Sequence, residues 1–169
     1  MKLPIGLLTG ALLVAAAPVA AQDVKTLSVH NDWTAYSFKE NKRQVCYMAA
    51  RPTKSEGVRG KRGDVFAIVT HRPSEGSFGV FSFIAGYPLK EGKPVALDVG
   101  TKPYSLTSHG ETAWASTDDD KNLLASMKSA KAMIIQATAA KGGDSRDNFS
   151  LNGFAQALEA ISRACPRAK

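Results

Sequence analysis

Three histidines, two cysteines, a run of three aspartates and one glycine-rich basic loop are the groups in this 169-residue sequence with chemistry to offer. His30, His71 and His109 lie far apart, with no HxxxH spacing and no cysteine beside them, so they do not read as zinc ligands. A catalytic triad needs no sequence proximity, but no GxSxG elbow or comparable nucleophile motif accompanies them. His71 closes an apolar stretch and precedes Arg72-Pro73, which reads as a histidine solvated at a strand end. Asp118, Asp119 and Asp120 lack the alternating ligands, the glycine and the closing glutamate of a calcium loop. They read instead as acidic residues at a helix N-terminus, where the macrodipole favours negative charge. On these residues the sequence assigns no catalytic group, no metal ligand and no cofactor.

Gly57-Val58-Arg59-Gly60-Lys61-Arg62-Gly63 has the glycines of a phosphate cradle without its GK[ST] ending or a GxGxxG spacing. What remains is a flexible basic loop. Lys54, Arg59, Lys61 and Arg62 are its candidate contacts to an anionic surface or an acidic envelope or host protein. Nucleic acid is not expected, because no nucleic-acid-binding motif accompanies the charge.

Residues 1–21 have the form of a secretory leader: Lys2 is followed by the apolar stretch Ile5 to Ala17, and Val19 and Ala21 precede a cleavage point before Gln22. No cysteine follows the apolar run, so no lipid anchor is expected, and no membrane-spanning segment remains after cleavage. The chain carries 22 Lys+Arg against 15 Asp+Glu, and loss of Lys2 with the leader lowers its net charge of +7 by one. With 44% hydrophobic and 22% charged residues it is neither a disordered tail nor a coiled coil, and 22–169 is the length of one domain. No feature of the sequence sets an oligomeric state.

Export changes how Cys46 and Cys165 read. In an oxidising compartment, two cysteines in one small domain, neither within a CxxC, point to a disulfide. Phe154, Leu158 and Ile161 fall on one helix face, and Cys165 continues that face four residues on, so its sulfur points at the core. Closing so long a loop stabilises a fold by roughly 4–5 kcal/mol on the chain-entropy argument.

The elements that must position these groups are mostly short strands. Trp33 to Phe38, Arg43 to Arg51, Val65 to His71, Phe78 to Ala85, Val95 to Val99, Tyr104 to Thr107, Thr112 to Ser116 and Ala132 to Ala137 read as strands. Turn signals such as Arg72-Pro73-Ser74-Glu75-Gly76 and Ser108-His109-Gly110 separate them. Two helices complete the list. One is capped by Thr117 or Asp118 with Leu123, Leu124 and Met127 inward; the other starts at Asn152 as N-cap and ends before Pro166. The expectation is a mainly β, antiparallel sandwich-like single domain with one short internal helix and a C-terminal helix. Trp33 and Trp114 are expected in its core.

Several of these pieces together resemble the invasion-associated locus B family of bacterial envelope proteins. The residues are Asp32-Trp33, Val45-Cys46-Tyr47, Arg62-Gly63-Asp64, Val69-Thr70-His71-Arg72-Pro73 and Ala85-Gly86-Tyr87. Ala113-Trp114-Ala115, Met127 and Phe149-Ser150-Leu151-Asn152-Gly153-Phe154, leading to Ala164-Cys165, follow in order. The resemblance implies an exported, compact β-rich domain with a terminal helix and, by the family's founding member, an association with host-cell invasion. It brings no catalytic residue set. Many members carry a further cysteine shortly after the tryptophan, and Thr34 to Phe38 has none here, so the Cys46–Cys165 pairing rests on the helix-face argument.

The functional expectation is an exported, non-enzymatic envelope or interaction protein, periplasmic or secreted, that meets an anionic partner. The alternatives are a small periplasmic hydrolase built on a spatially assembled histidine site, and an inhibitor of a periplasmic enzyme. Wall-lysing targets are commonly basic, and like charges across an interface oppose the inhibitor.

Overall fold

A computed structural model of the chain describes residues 23–57 and 61–167. The leader expected over 1–21 and the candidate contact Arg59 lie outside the described residues.

Eleven strands follow one another as β1 (Lys25–His30), β2 (Trp33–Glu40), β3 (Arg43–Ala50), β4 (Lys54–Glu56), β5 (Phe66–Arg72) and β6 (Ser77–Ile84), then β7 (Val95–Val99), β8 (Lys102–His109), β9 (Thr112–Trp114), β10 (Ala132–Thr138) and β11 (Asp144–Ser150). Helix α1 (Thr117–Ser129) lies between β9 and β10, and α2 (Phe154–Ala164) follows β11. Their order in space is β1-β2-β3-β5-β6-β9-β8-β7-β10-β11-β4, with every neighbouring pair antiparallel. The fold is the expected mainly β, sandwich-like domain.

One strand makes the corner. The first half of β8 pairs with β7 and its last three residues, Thr107 to His109, pair with β9, so β8 passes from one sheet to the other. The two sheets then face each other across a core that includes Phe81, Phe83, Leu97, Ile135 and Phe149. Phe83 on β6 meets Phe149 on β11 edge to face, with ring centroids 6.3 Å apart. Each such ring buried in full contributes roughly 1.5–3 kcal/mol. Period-2 alternation fixes which residues go inside: on β5, Ala67, Val69 and His71 are buried, while Phe66, Ile68, Thr70 and Arg72 are partly exposed.

Both helices form where expected, but their starts differ. Ser116 caps α1, its hydroxyl accepting from the Asp119 N–H at 3.2 Å, in place of Thr117 or Asp118. Helix α2 begins at Phe154 after Gly153, which takes a left-handed conformation and offers no side-chain cap, in place of Asn152. The reason is a close approach: a Cβ at Gly153 would lie 1.9 Å from the His30 carbonyl oxygen. Strands β1 and β4 are not signalled by the sequence. Strand β4 is three exposed polar residues held by pairing with Arg146, Asp147 and Asn148. No helix among the described residues is long and apolar enough to cross a membrane.

Candidate functional site

The start of β2 meets the entry to α2. Trp33 donates from Nε1 to the Ser150 carbonyl at 3.0 Å, and its ring stands edge-on to Phe154 at 5.0 Å. The Asp32 N–H donates to the Asn152 carbonyl at 3.4 Å. The Asp-Trp pair at the entry to β2 and the Asn-Gly-Phe entry to α2 are thus two halves of one contact. Lower on the same helix, Cys165 is bonded to Cys46 on β3, with Cα atoms 6.0 Å apart. Both cysteines lie in the core, as the helix-face argument required.

His71 sits beside this bond, directly across from Cys46 in the β3–β5 ladder. It is buried rather than solvated at a strand end, because the β5 register turns it inward beneath α2. Its Nδ1 accepts the Gly79 N–H at 3.0 Å. A ring nitrogen that accepts carries no proton, so Nε2 carries it and donates to Ser162 Oγ at 3.1 Å. Ser162 in turn donates to the Leu158 carbonyl. Burial lowers the His71 pKa below the ordinary histidine value, which holds the ring neutral. His30 contacts Ser28 at the edge strand, and His109 is exposed at the β8–β9 turn. The fold places the three histidines in three separate environments.

The aspartate run divides as well. Asp119 accepts the Ser116 hydroxyl at 2.6 Å, the capping role expected. Asp120 is buried and accepts the Phe81 N–H at 3.0 Å, pinning α1 to β6. Burial pushes its carboxyl above the usual carboxylate range.

The basic loop delivers Arg62 to the interior. Arg62 donates to both oxygens of Asp147 at 2.8 Å and from Nε to the Ala85 carbonyl at 2.7 Å. Its guanidinium lies 4.9 Å from the Tyr87 ring centroid. The Tyr87 and Ser145 hydroxyls are 2.6 Å apart, and Ser145 donates to the second Asp147 oxygen at 3.2 Å. Gly63 donates to the Gly86 carbonyl at 2.8 Å, and a Cβ on Gly86 would come within 2.6 Å of the Gly63 oxygen. Arg62-Gly63 and Ala85-Gly86-Tyr87 are therefore one clamp, closed on an aspartate of the opposite sheet. Arg62 is a bridge between sheets, unlike the exposed Lys61 beside it. Lys54 pairs with Glu56 at 2.8 Å on the surface.

On the outward side of the first sheet most residues of β2, β3, β5, β6 and β9 are partly exposed, Val45 being buried. Trp114 is 38% exposed there, not in the core, because Ala113 takes the inward position of β9 and alternation turns Trp114 out. Tyr36 and Tyr47 stack at 4.9 Å on the same side, and the Arg51 guanidinium covers Phe66 at 4.4 Å. Between Thr70, Arg72, Val80, Ser82, Ile84 and Trp114 lies a shallow groove of about 380 Å³. The parity of Thr112-Ala113-Trp114 was the sequence signal for this surface.

The model of the invasion-associated locus B (IalB) protein family matches residues 33–162. No curated protein matches the chain significantly. Among solved structures, the crystal structure of invasion-associated protein B from Bartonella henselae is similar, with a TM-score of 0.60 at 18% identity over 86% of this chain and 97% of that one. That likeness is one of fold. The matched span begins at Trp33 and takes in Cys46, the Arg62–Asp147 clamp and helix α2 up to Ser162, and on that match the chain belongs to the invasion-associated locus B family.

Proposed function

We propose that this protein is an exported, non-enzymatic interaction protein of the bacterial envelope, synthesised with a leader over residues 1–21 that is removed to leave 22–169. The observation that carries this reading is the partly exposed aromatic side of the first sheet, with Trp114 at one end of its middle row. Exposed aromatic surface with few free charges is the composition of a binding face. Family membership supports a place in the envelope, and the Bartonella protein's name brings an association with host-cell invasion into the same proposal.

With Arg62 committed to Asp147, Lys61 and the nearby Lys54, together with Arg59 outside the described residues, are the cations left for a partner. They are proposed to meet acidic groups of the partner, a contact that weakens as salt rises. The test is photocrosslinking capture in the intact envelope, with the crosslinker beside Trp114, at low and high salt. A defined partner, weakened by high salt and by charge reversal at Lys54 and Lys61, is the expected result. No reproducible partner at either salt overturns the reading.

A further inference from the structure

The strand register lays the outward face of the first sheet out as a grid. Thr34, Ala49, Ile68, Ser82 and Trp114 are successive partners across β2, β3, β5, β6 and β9, so they form one row that crosses the strands. On one side of it run Tyr36, Tyr47, Thr70 and Val80, and on the other Phe66, Ile84 and Thr112. All are partly or wholly exposed.

Two short side chains, Ala49 and Ser82, make two low points in the middle row, either side of Ile68. At the usual strand spacing they are about 10 Å apart. Each has an aromatic ring at its edge: Tyr47, held flat against Tyr36, beside Ala49, and Trp114 beside Ser82. That is the span of two linked six-membered sugar rings.

The polar chemistry fits the same ligand. At the margins Arg51 is matched by Asp64 at 2.9 Å and Arg72 by Glu40 and Glu75, and Arg43 lies beyond the three rows at the start of β3. The three rows themselves hold no charged residue, while the hydroxyls of Thr34, Thr70, Ser82 and Thr112 stand among the rings. No buried side-chain polar atom among the described residues lacks a partner, so hydroxyls left free here face solvent. Rings with apolar faces and hydroxyl edges, and no charge, describe a carbohydrate.

The geometry points to a glycan platform: the outward face seats the sugar backbone of a cell-wall glycan strand across β3, β5, β6 and β9, with rings stacked on Tyr47 and Trp114. This rests on the reading of the protein as an envelope interaction protein, and names its partner. The basic loop leaves the sheet at the Phe66–Ile84 end, where Arg62 binds the Ala85 carbonyl. Lys61 there faces the acidic peptide branches that such a strand carries.

The probes are wall sacculi stripped of their peptide branches by an amidase, and soluble chitotetraose. The mature protein is expected to sediment with the stripped sacculi at low and high salt alike. The chain has two tryptophans, Trp33 buried and Trp114 exposed, so acrylamide quenching reports Trp114 alone, and chitotetraose is expected to protect it. Trp114→Ala should weaken sedimentation about two- to ten-fold, the worth of one stacked ring. Ser82→Lys, which fills a low point and spares both rings, should do the same, and Lys61→Glu should leave binding to stripped strands unchanged. No sedimentation, or sedimentation equal in all variants, overturns the glycan platform. If a crosslinker beside Trp114 then captures an envelope protein, the interaction reading stands without the glycan; if it captures nothing, both fall.

Discussion

Asp147 on β11 receives two hydrogen bonds at 2.8 Å from Arg62, a residue 85 positions earlier, and its carboxylate is wholly buried. The pair joins the segment entering the first sheet to β11 of the second, between β10 and the edge strand β4. A buried pair of this kind is a poor source of net stability but a costly one to break, because the survivor is left charged without a partner. Asp147→Asn or Arg62→Met alone should therefore lose about 3–5 kcal/mol in urea denaturation. The double variant Arg62→Met, Asp147→Leu should recover most of that loss. A double variant as unstable as either single one would show that the clamp does more than balance charge.

The disulfide ties β3 to the last turn of α2. Its loss, by reductant or by Cys46→Ala with Cys165→Ala, should lower stability by about 2–5 kcal/mol. Thermal melts with and without reductant measure this. A reductant effect that persists in the double alanine variant would count against the bond as its cause.

His71 and Asp120 should give pH dependences of opposite sign. The folded pKa of His71 is lowered by burial, so as pH falls through the ordinary value of about 6.5 the unfolded chain takes up the proton first. Its contribution is complete above that value and lost as pH falls towards the lower folded value. Asp120 is raised, again by burial, so its contribution is present below the ordinary carboxylate value and lost as pH rises through the folded one. Melting temperature followed from pH 7.5 down to 4 should fall less steeply in His71→Gln, and Asp120→Asn should melt higher than the parent at neutral pH.

Gly153 and Gly142 share a left-handed φ, 87° and 86°, but differ in surroundings. A Cβ at Gly153 meets the His30 carbonyl, and one at Gly142 meets nothing within 4 Å. Gly142→Ala should cost only the backbone strain, about 1–3 kcal/mol. Gly153→Ala should cost clearly more, since β1 must move away from α2. Equal losses in denaturation would mean that the contact between the end of β1 and the start of α2 adjusts freely.

Salt and charge form a last test. The Lys54→Glu, Lys61→Glu variant should bind its envelope partner more weakly at low salt and lose the salt dependence of the parent. Arg62→Gln should act differently, through lost stability, with a lower urea midpoint rather than an altered salt response.

What the sequence determined by itself was local and periodic. The strands Trp33 to Phe38 and Val95 to Val99, the inward face Phe154, Leu158 and Ile161, and the pairing of Cys46 with Cys165 all follow from repeats of two or of about 3.6 residues. What the tertiary structure decided were the partners of single polar groups. Arg62 reads from its neighbours as a solvated loop cation, and only the approach of β11 makes it the counter-ion of a buried aspartate. His71 ends a strand in sequence, but α2, packed over that end, dries it and supplies Ser162. Trp114 belongs inside by residue type, yet the register of a three-residue strand between β6 and β8 puts it on the surface. Periodicity is carried by neighbours along the chain, whereas burial, charge pairing and exposure depend on what the fold brings up from the far side.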